Sequence, residues 1–175
     1  MRVLKPSILV LFLLVLSGCS KDVEENTPTN RSANLAGKWL LIDYRVTGNT
    51  TSITFDEVET AQFNGNGGDY NYTLTFQENP NTYSITGSYI FTLSTTNNSG
   101  NTIVQGSLVQ FNEAGDWTQN NNTILVIQPE ENYNLTIVEL SDDTLRFTRN
   151  IDISTSSGDT ATSTNATENY RFMRI

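Results

Sequence analysis

Apolar and polar residues alternate through most of this chain, and this alternation restricts what the chain can fold into. Successive side chains of a β-strand point to opposite faces of a sheet, so a period of two predicts strands with one buried face. The clearest run has its apolar positions at Tyr70, Tyr72, Leu74 and Phe76. After a turn at residues 78–81, the same pattern continues from Tyr83 to Leu93.

Short polar connections separate further segments of the same type. They are predicted as strands at Trp39–Val46, Ile103–Phe111, Thr123–Gln128, Tyr133–Leu140, Thr144–Ile153 and Asn169–Ile175. Consecutive strands with short connections form hairpins, and an open sheet of this length would expose two unpaired edges. Closure removes the edges, whereas a two-sheet sandwich needs longer crossovers. The sequence therefore predicts an all-β domain over residues 35–175, an up-and-down antiparallel β-barrel of about eight strands.

Three segments interrupt the alternation. Thr54-Phe55-Asp56-Glu57 has the form of a capping box, which predicts either one short helix near residues 54–63 or a loop. Residues 64–69 combine oxygen ligands with glycines, but they hold a single carboxylate, so a turn is favoured over a calcium loop. Residues 154–165 exceed a tight hairpin and have low complexity, which predicts disorder. Within them, Asp159-Thr160-Ala161 resembles a short O-glycosylation signal.

The first 18 residues have the layout of a signal peptide and precede the single cysteine of the chain, Cys19. Arg2 and Lys5 come before nine consecutive apolar residues at positions 8–16, and two small residues follow. A transmembrane helix needs about 20 apolar residues, so residues 1–18 are predicted to be a secretory signal. Residues 19–34 are polar with an early acidic cluster, which predicts a flexible tether behind the cysteine.

Leu16-Ser17-Gly18-Cys19 resembles the lipobox of bacterial lipoproteins, in which the signal is cleaved before the cysteine and the thiol is acylated. The resemblance implies that Cys19 carries lipid and anchors the protein to the outer membrane. A lone thiol in an oxidising compartment has no disulfide partner, and acylation explains its position and isolation. An ordinary cleaved signal is the alternative. The charged stretch after Cys19 also looks like the export signal of surface lipoproteins in the Bacteroidetes, although a solvated linker would have the same composition.

Acidic residues dominate the charge of the predicted mature chain. Removal of Arg2 and Lys5 with the signal leaves 8 basic residues against 19 acidic ones, a net charge of about −11. Such a surface repels nucleic acid and anionic headgroups, so neither is a predicted partner. The chain contains no histidine, which excludes a Ser-His-Asp triad and histidine-ligated metals. With its one cysteine assigned to lipid, no metal or other cofactor is predicted.

Short motifs follow one another in order along the predicted barrel. They are Gly37-Lys38-Trp39, Gly115-Asp116-Trp117, Tyr133–Ile137, Leu140–Leu145 and Tyr170–Ile175. Behind a lipobox, this order resembles the lipocalin-like domain of many Bacteroidetes lipoproteins, over nearly all of residues 35–175. The resemblance implies that Trp39 closes one end of the barrel beneath an arginine of the last strand, either Arg171 or Arg174. Gly37 would let the chain approach closely as it enters the barrel.

Aromatic residues on the predicted inward faces are the candidate ligand contacts. They are Tyr70, Tyr72, Phe76, Tyr83, Tyr89 and Phe91. An eight-stranded barrel holds either a filled core or one small ligand. One hypothesis is therefore a lipid-anchored barrel that binds a small apolar or amphipathic ligand. The other is a filled barrel that contacts a glycan or an envelope protein through rim aromatics and loops. A cavity of at least about 300 Å³ would favour the first.

Catalysis is a third and less favoured class. Glycoside hydrolysis needs two carboxylates that face each other across a cleft. No predicted strand interior places two on one inward face, and Asp43 and Glu139 come nearest to doing so. Asp142 and Asp143 are adjacent in a predicted turn, where both are solvated. No catalytic residue is predicted, and the protein is expected not to be an enzyme.

Overall fold

The computed structural model describes residues 34–128 and 132–175, which form eight antiparallel strands in one sheet that closes on itself. The strands are β1 Gly37–Thr54, β2 Glu57–Gln77, β3 Thr82–Asn97, β4 Thr102–Asn120, β5 Thr123–Ile127, β6 Asn132–Leu140, β7 Thr144–Ser157 and β8 Thr160–Arg174. Each strand pairs with its neighbours in sequence, and β8 pairs with β1. The predicted up-and-down antiparallel barrel of eight strands is confirmed. In the part of the chain that the structure describes, no helix is long and apolar enough to span a membrane.

The predicted short helix near residues 54–63 is wrong. Phe55 and Asp56 form a two-residue turn between β1 and β2, and β2 continues beyond Phe63. Phe55 has a φ of 54°, a left-handed conformation that belongs to a tight hairpin and not to a helix. Ile53 lies opposite Val58 across this hairpin. The cross-strand ladder therefore outweighs the local capping pattern, which could have begun only a short helix.

The two predicted loops at residues 64–69 and 154–165 are also wrong. Residues 64–69 lie within β2, where Gly65 is buried and a Cβ on it would lie 2.5 Å from Cε2 of Phe91. The glycine is needed for packing beside an aromatic ring, not for a turn. Residues 154–165 are the end of β7, the turn Gly158-Asp159 and the start of β8. Serine and threonine hide the apolar alternation there, but their backbones pair along the whole hairpin.

Trp39 closes the base of the barrel, as the resemblance implied. Its side chain is fully buried, and its indole nitrogen donates a hydrogen bond to the carbonyl oxygen of Leu35 at 2.9 Å. The guanidinium carbon of Arg174 lies 4.1 Å from the centroid of the Trp39 ring. Gly37 has a φ of 137°, and a Cβ on it would lie 2.5 Å from Nη1 of Arg174. Arg171, the other predicted arginine, is instead exposed and lies opposite Arg146.

Unequal strand lengths divide the sheet into a closed base and an open upper part. β5 and β6 have 5 and 9 residues, whereas each of the other strands has at least 14. β5 pairs with β4 only over Asp116–Asn120, and β6 pairs with β7 only over Leu145–Thr148. Above these pairings, the order of the six longer strands is β4-β3-β2-β1-β8-β7. Within the described residues, this upper sheet has two edges without a partner strand, one on β4 and one on β7.

Candidate binding sites

The aromatic residues predicted as ligand contacts pack against one another inside the barrel. Tyr72, Phe76, Tyr83 and Tyr89 are buried, and Tyr70 and Phe91 are half-buried against the same core. The ring of Tyr72 meets that of Phe111 edge-on with centroids 4.8 Å apart, and Tyr89 stacks on Phe111 at 5.5 Å. Contacts of this kind stabilise a core without any ligand. The prediction of an inward position is correct, and ring contacts occupy most of the space between these side chains.

The cavity that remains inside the barrel is small. Its volume is about 40 Å³, and three of its lining residues, Tyr72, Phe76 and Tyr83, belong to the predicted set. A pocket for a drug-sized ligand has at least about 300 Å³, and one water molecule needs about 10–15 Å³ on the same measure. The closed base of the barrel therefore has room for a few water molecules. It does not have room for the predicted apolar or amphipathic ligand in this conformation.

A buried carboxylate lies among these aromatic rings. Glu168 on β8 is 9% exposed, and its Oε1 accepts a hydrogen bond of 2.8 Å from the hydroxyl of Tyr44. Its Oε2 lies 3.8 Å from Nη1 of Arg149 on β7. The guanidinium of Arg149 in turn lies 4.2 Å above the ring of Tyr133. Sequence reasoning missed Glu168, although its spacing of two from Tyr170 was a signal that it faces inward.

All seven tyrosines of the chain have a raised pKa. Burial, followed by the negative charge of Glu168, raises the pKa of Tyr89 to about 12. The same two causes, in the same order, raise the pKa of Tyr44 and the pKa of Tyr170. At neutral pH these phenols therefore stay protonated. A protonated phenol can donate a hydrogen bond, as Tyr44 does to Glu168, but it does not act as a general base.

A much larger hollow of about 780 Å³ lies against the upper sheet. Strand alternation places nine of its thirteen lining residues at outward positions, whereas the other four, Gly48, Phe63, Ile151 and Ala166, take inward positions. The polar residues that line the hollow are Thr47, Asn49, Gln62, Asn64, Thr96, Asn150, Asp152, Asn165 and Thr167. We call this hollow the polar groove. The groove is more open to solvent than the cavity in the base.

Strand register arranges the polar groove in two rows. One row is Asp152, Asn165, Asn49, Gln62 and Thr96, and the next is Asn150, Thr167, Thr47 and Asn64. Neighbouring strands lie about 4.8 Å apart, so the five-residue row is about 19 Å wide. Eight of these nine side chains end in an amide or a hydroxyl, and Asp152 is the exception. Among the residues that line the groove there is no lysine or arginine.

Comparisons of this chain with protein-family models, with curated proteins and with solved structures gave no match. Cys19, the signal at residues 1–18 and all of the tether except Asn34 lie outside the described residues. Within residues 34–128 and 132–175, no cluster of three or more histidine, cysteine, aspartate or glutamate side chains could hold a metal ion.

Proposed function

We propose that this protein is a non-enzymatic, lipid-anchored module of the outer membrane that binds a neutral glycan in the polar groove at the cell surface. The contrast between the two hollows supports this proposal. The interior of the barrel has a cavity of about 40 Å³, whereas the polar groove has about 780 Å³. A filled barrel with an open polar surface fits the interaction module that the sequence suggested as an alternative.

The chemistry of the polar groove suits a sugar. Asparagine and glutamine amides both donate and accept hydrogen bonds, as threonine hydroxyls do, and sugar hydroxyls have the same two capacities. The groove lacks a cation among its lining residues, and the whole chain has a net charge of −9. Sulfated or otherwise anionic glycans would therefore be repelled. A row about 19 Å wide suits an extended oligosaccharide better than a single sugar.

The geometry of the barrel base fits the proposed anchor at Cys19. Asn34, the first described residue, lies at the base, where its carbonyl oxygen accepts a hydrogen bond from Nη2 of Arg174. The chain from the lipidated cysteine would thus enter at the closed base. The polar groove lies on the upper part of the sheet, beyond the ends of β5 and β6. Attachment at one end and binding at the other suit a protein that faces outward from a membrane.

Binding of a small apolar or amphipathic ligand inside the barrel has less support. It would require the interior to expand, because the cavity there has about 40 Å³. Native mass spectrometry of the protein purified from its host distinguishes the two functions. A small molecule that repeatedly co-purifies would favour the interior site, and its repeated absence would favour the groove.

An array of neutral oligosaccharides tests the glycan proposal directly. We expect the parent protein to retain at least one of them and the double variant Asn49→Ala/Asn165→Ala to bind it about tenfold more weakly, because two hydrogen-bonding amides are lost. Both side chains are exposed and lie opposite each other on β1 and β8. Asn134→Ala is the matched control, since Asn134 is exposed in a separate polar hollow. Failure to retain any neutral oligosaccharide, or loss of binding in Asn134→Ala alone, would contradict the proposal.

A further inference from the structure

The upper part of β4 is a strand with one unpaired edge. Residues 102–115 pair with β3 on one side, whereas β5 covers the other side only from Asp116 onward. No other described strand covers this edge. Three of its aliphatic side chains are exposed, by 63% for Ile103, 64% for Val104 and 61% for Leu108. A long, apolar free edge of this kind is a ready template for another strand.

This edge lacks the features that normally prevent strand addition. Natural edges carry charged residues, proline or bulges. Residues 102–112 contain no charged residue and no proline, and their pairing with β3 is regular. The other free edge, on β7, carries Arg149 and Asp152. Of the two free edges, the one on β4 is therefore the one suited to pairing.

The sequence of the β4 edge is nearly palindromic about Gly106. Ile103-Val104-Gln105 on one side corresponds to Ser107-Leu108-Val109 on the other, in reverse order and with matching polarity. In an antiparallel pair related by a two-fold axis through Gly106, each Val104 would lie opposite the second copy's Leu108. Each Ile103 would lie opposite the second copy's Val109. A two-fold interface requires this kind of self-complementarity.

We propose that two copies of this chain form a dimer by antiparallel pairing of their β4 edges, with the two-fold axis at Gly106. The uncharged edge lets two acidic molecules approach, and it offers no charge by which a charged partner could be recognised. Pairing would join the two upper sheets into one continuous sheet. It would also cover the exposed Val104 and Leu108 of each copy. This inference does not depend on glycan binding.

Gly106 makes the proposal testable without disturbing the monomer. A Cβ on Gly106 would have its nearest neighbour, the carbonyl oxygen of Phe91, 4.0 Å away. In the proposed dimer the two Gly106 residues lie directly opposite each other, about 4.5–5.5 Å apart between Cα atoms. Disulfide formation needs a Cα separation of about 4.4–6.8 Å. The variant Gly106→Cys should therefore form a disulfide between two copies.

The cross-linking experiment uses the full chain in host membranes under mild oxidation. Gly106→Cys should give a disulfide-linked dimer as the main product. Asn112 is also exposed on β4, but Asn112→Cys should not form this dimer. In the proposed pairing, residue 112 of one copy lies opposite residue 100 of the other, so the two cysteines would be far apart. The parent chain, with Cys19 as its single cysteine, gives the background. Three outcomes would overturn the proposal. The Gly106→Cys and Asn112→Cys variants could cross-link equally, the Gly106→Cys variant could cross-link no more than the parent chain, or it could cross-link to a different protein.

A second substitution separates pairing from chance collision. In the Gly106→Cys chain, Val104→Lys should lower the cross-linked fraction about tenfold, because a charge on the edge opposes strand addition. Val138→Lys is the matched control, since Val138 is 55% exposed on β6 and lies away from the edge. Circular dichroism shows whether each variant remains folded. Equal cross-linking by the two folded lysine variants would contradict the pairing.

Discussion

The guanidinium of Arg174 covers the ring of Trp39, with 4.1 Å between the guanidinium carbon and the ring centroid. The same side chain donates hydrogen bonds to three backbone carbonyl oxygens, from Nη1 to Ala36 at 2.8 Å, from Nε to Asp142 at 2.6 Å and from Nη2 to Asn34 at 2.5 Å. One arginine thus joins the chain entry, the β6–β7 turn and the last strand at the base of the barrel. This base is the closed end, where all eight strands meet.

Replacement of Arg174 should destabilise the fold far more than replacement of Arg171. We expect Arg174→Ala to lower the free energy of unfolding by about 2 kcal/mol, through loss of the cation–π contact and of charged hydrogen bonds. Arg171→Ala removes an exposed arginine from the same strand and should cost less than about 0.5 kcal/mol. Urea unfolding of both variants gives the comparison. Equal losses would show that the contact with Trp39 contributes little.

Removal of the Tyr44 hydroxyl should destabilise the fold, because the buried Glu168 carboxylate loses a hydrogen-bond donor. Tyr44→Phe leaves Oε1 without its 2.8 Å donor, and we expect it to lower the free energy of unfolding by about 1.5–3 kcal/mol. Adding Glu168→Gln to this variant removes the buried charge and should restore part of the loss. A double-mutant cycle measures this coupling. Additive effects of the two substitutions would contradict the idea that they act through one hydrogen bond.

Alkaline pH should unfold the barrel together with ionisation of its tyrosines. In the unfolded chain a tyrosine titrates near pH 10, whereas burial raises the pKa of Tyr89 to about 12 in the folded protein. Above pH 10 the unfolded state therefore loses protons first. Tyr89 alone lowers the free energy of unfolding by about 1.4 kcal/mol per pH unit between these values.

Absorbance of tyrosinate and near-ultraviolet circular dichroism measure the two events separately. Ionisation of most tyrosines should coincide with loss of the circular dichroism signal, because burial raises the pKa of all seven. At neutral pH these groups stay protonated in both states and leave stability unchanged. Ionisation of several tyrosines near pH 10 in a protein that keeps its native signal would contradict this interior.

Replacement of Cys19 tests the proposed anchor. Cys19→Ser should release a folded protein from the membrane fraction, because the lipid would be lost while no disulfide depends on the single cysteine. Fractionation of host cells and circular dichroism of the released protein give the two readouts. Lys21→Ser, which changes the tether but keeps the cysteine, is a suitable control. A Cys19→Ser protein that stayed firmly bound to membranes would contradict lipid anchoring.

The closed base shows how far sequence alone can specify a site. The motifs around Trp39 and in the last strand implied an aromatic ring beneath an arginine through their resemblance to lipocalin-like domains. They could not choose between Arg171 and Arg174, because the register between β1 and β8 decides which face each arginine takes. The register shift between Leu41 and Asp43 in β1 affects that choice. A bulge of this kind leaves no clear mark in the sequence.

The lengths of the strands and the existence of the polar groove could not be predicted from the sequence, for a different reason. Segments rich in asparagine and glycine, such as residues 64–69, or in serine and threonine, such as residues 154–165, lack the apolar alternation that identifies a strand. In the structure they pair because backbone hydrogen bonds extend along hairpins whatever the side chains are. This extension carries β1–β4, β7 and β8 beyond β5 and β6. The polar groove and the free edge of β4 both result from it.

The sequence by itself determined that this chain forms an antiparallel barrel, because alternating polarity follows directly from the geometry of a strand. It also placed six aromatic residues on inward faces. Only the tertiary structure decided that these rings leave a cavity of about 40 Å³, since packing depends on distances between side chains far apart in the chain. It also decided that Glu168 is buried beside Tyr44 and that polar residues of five strands form one groove. Both depend on register, which places residues distant in sequence side by side.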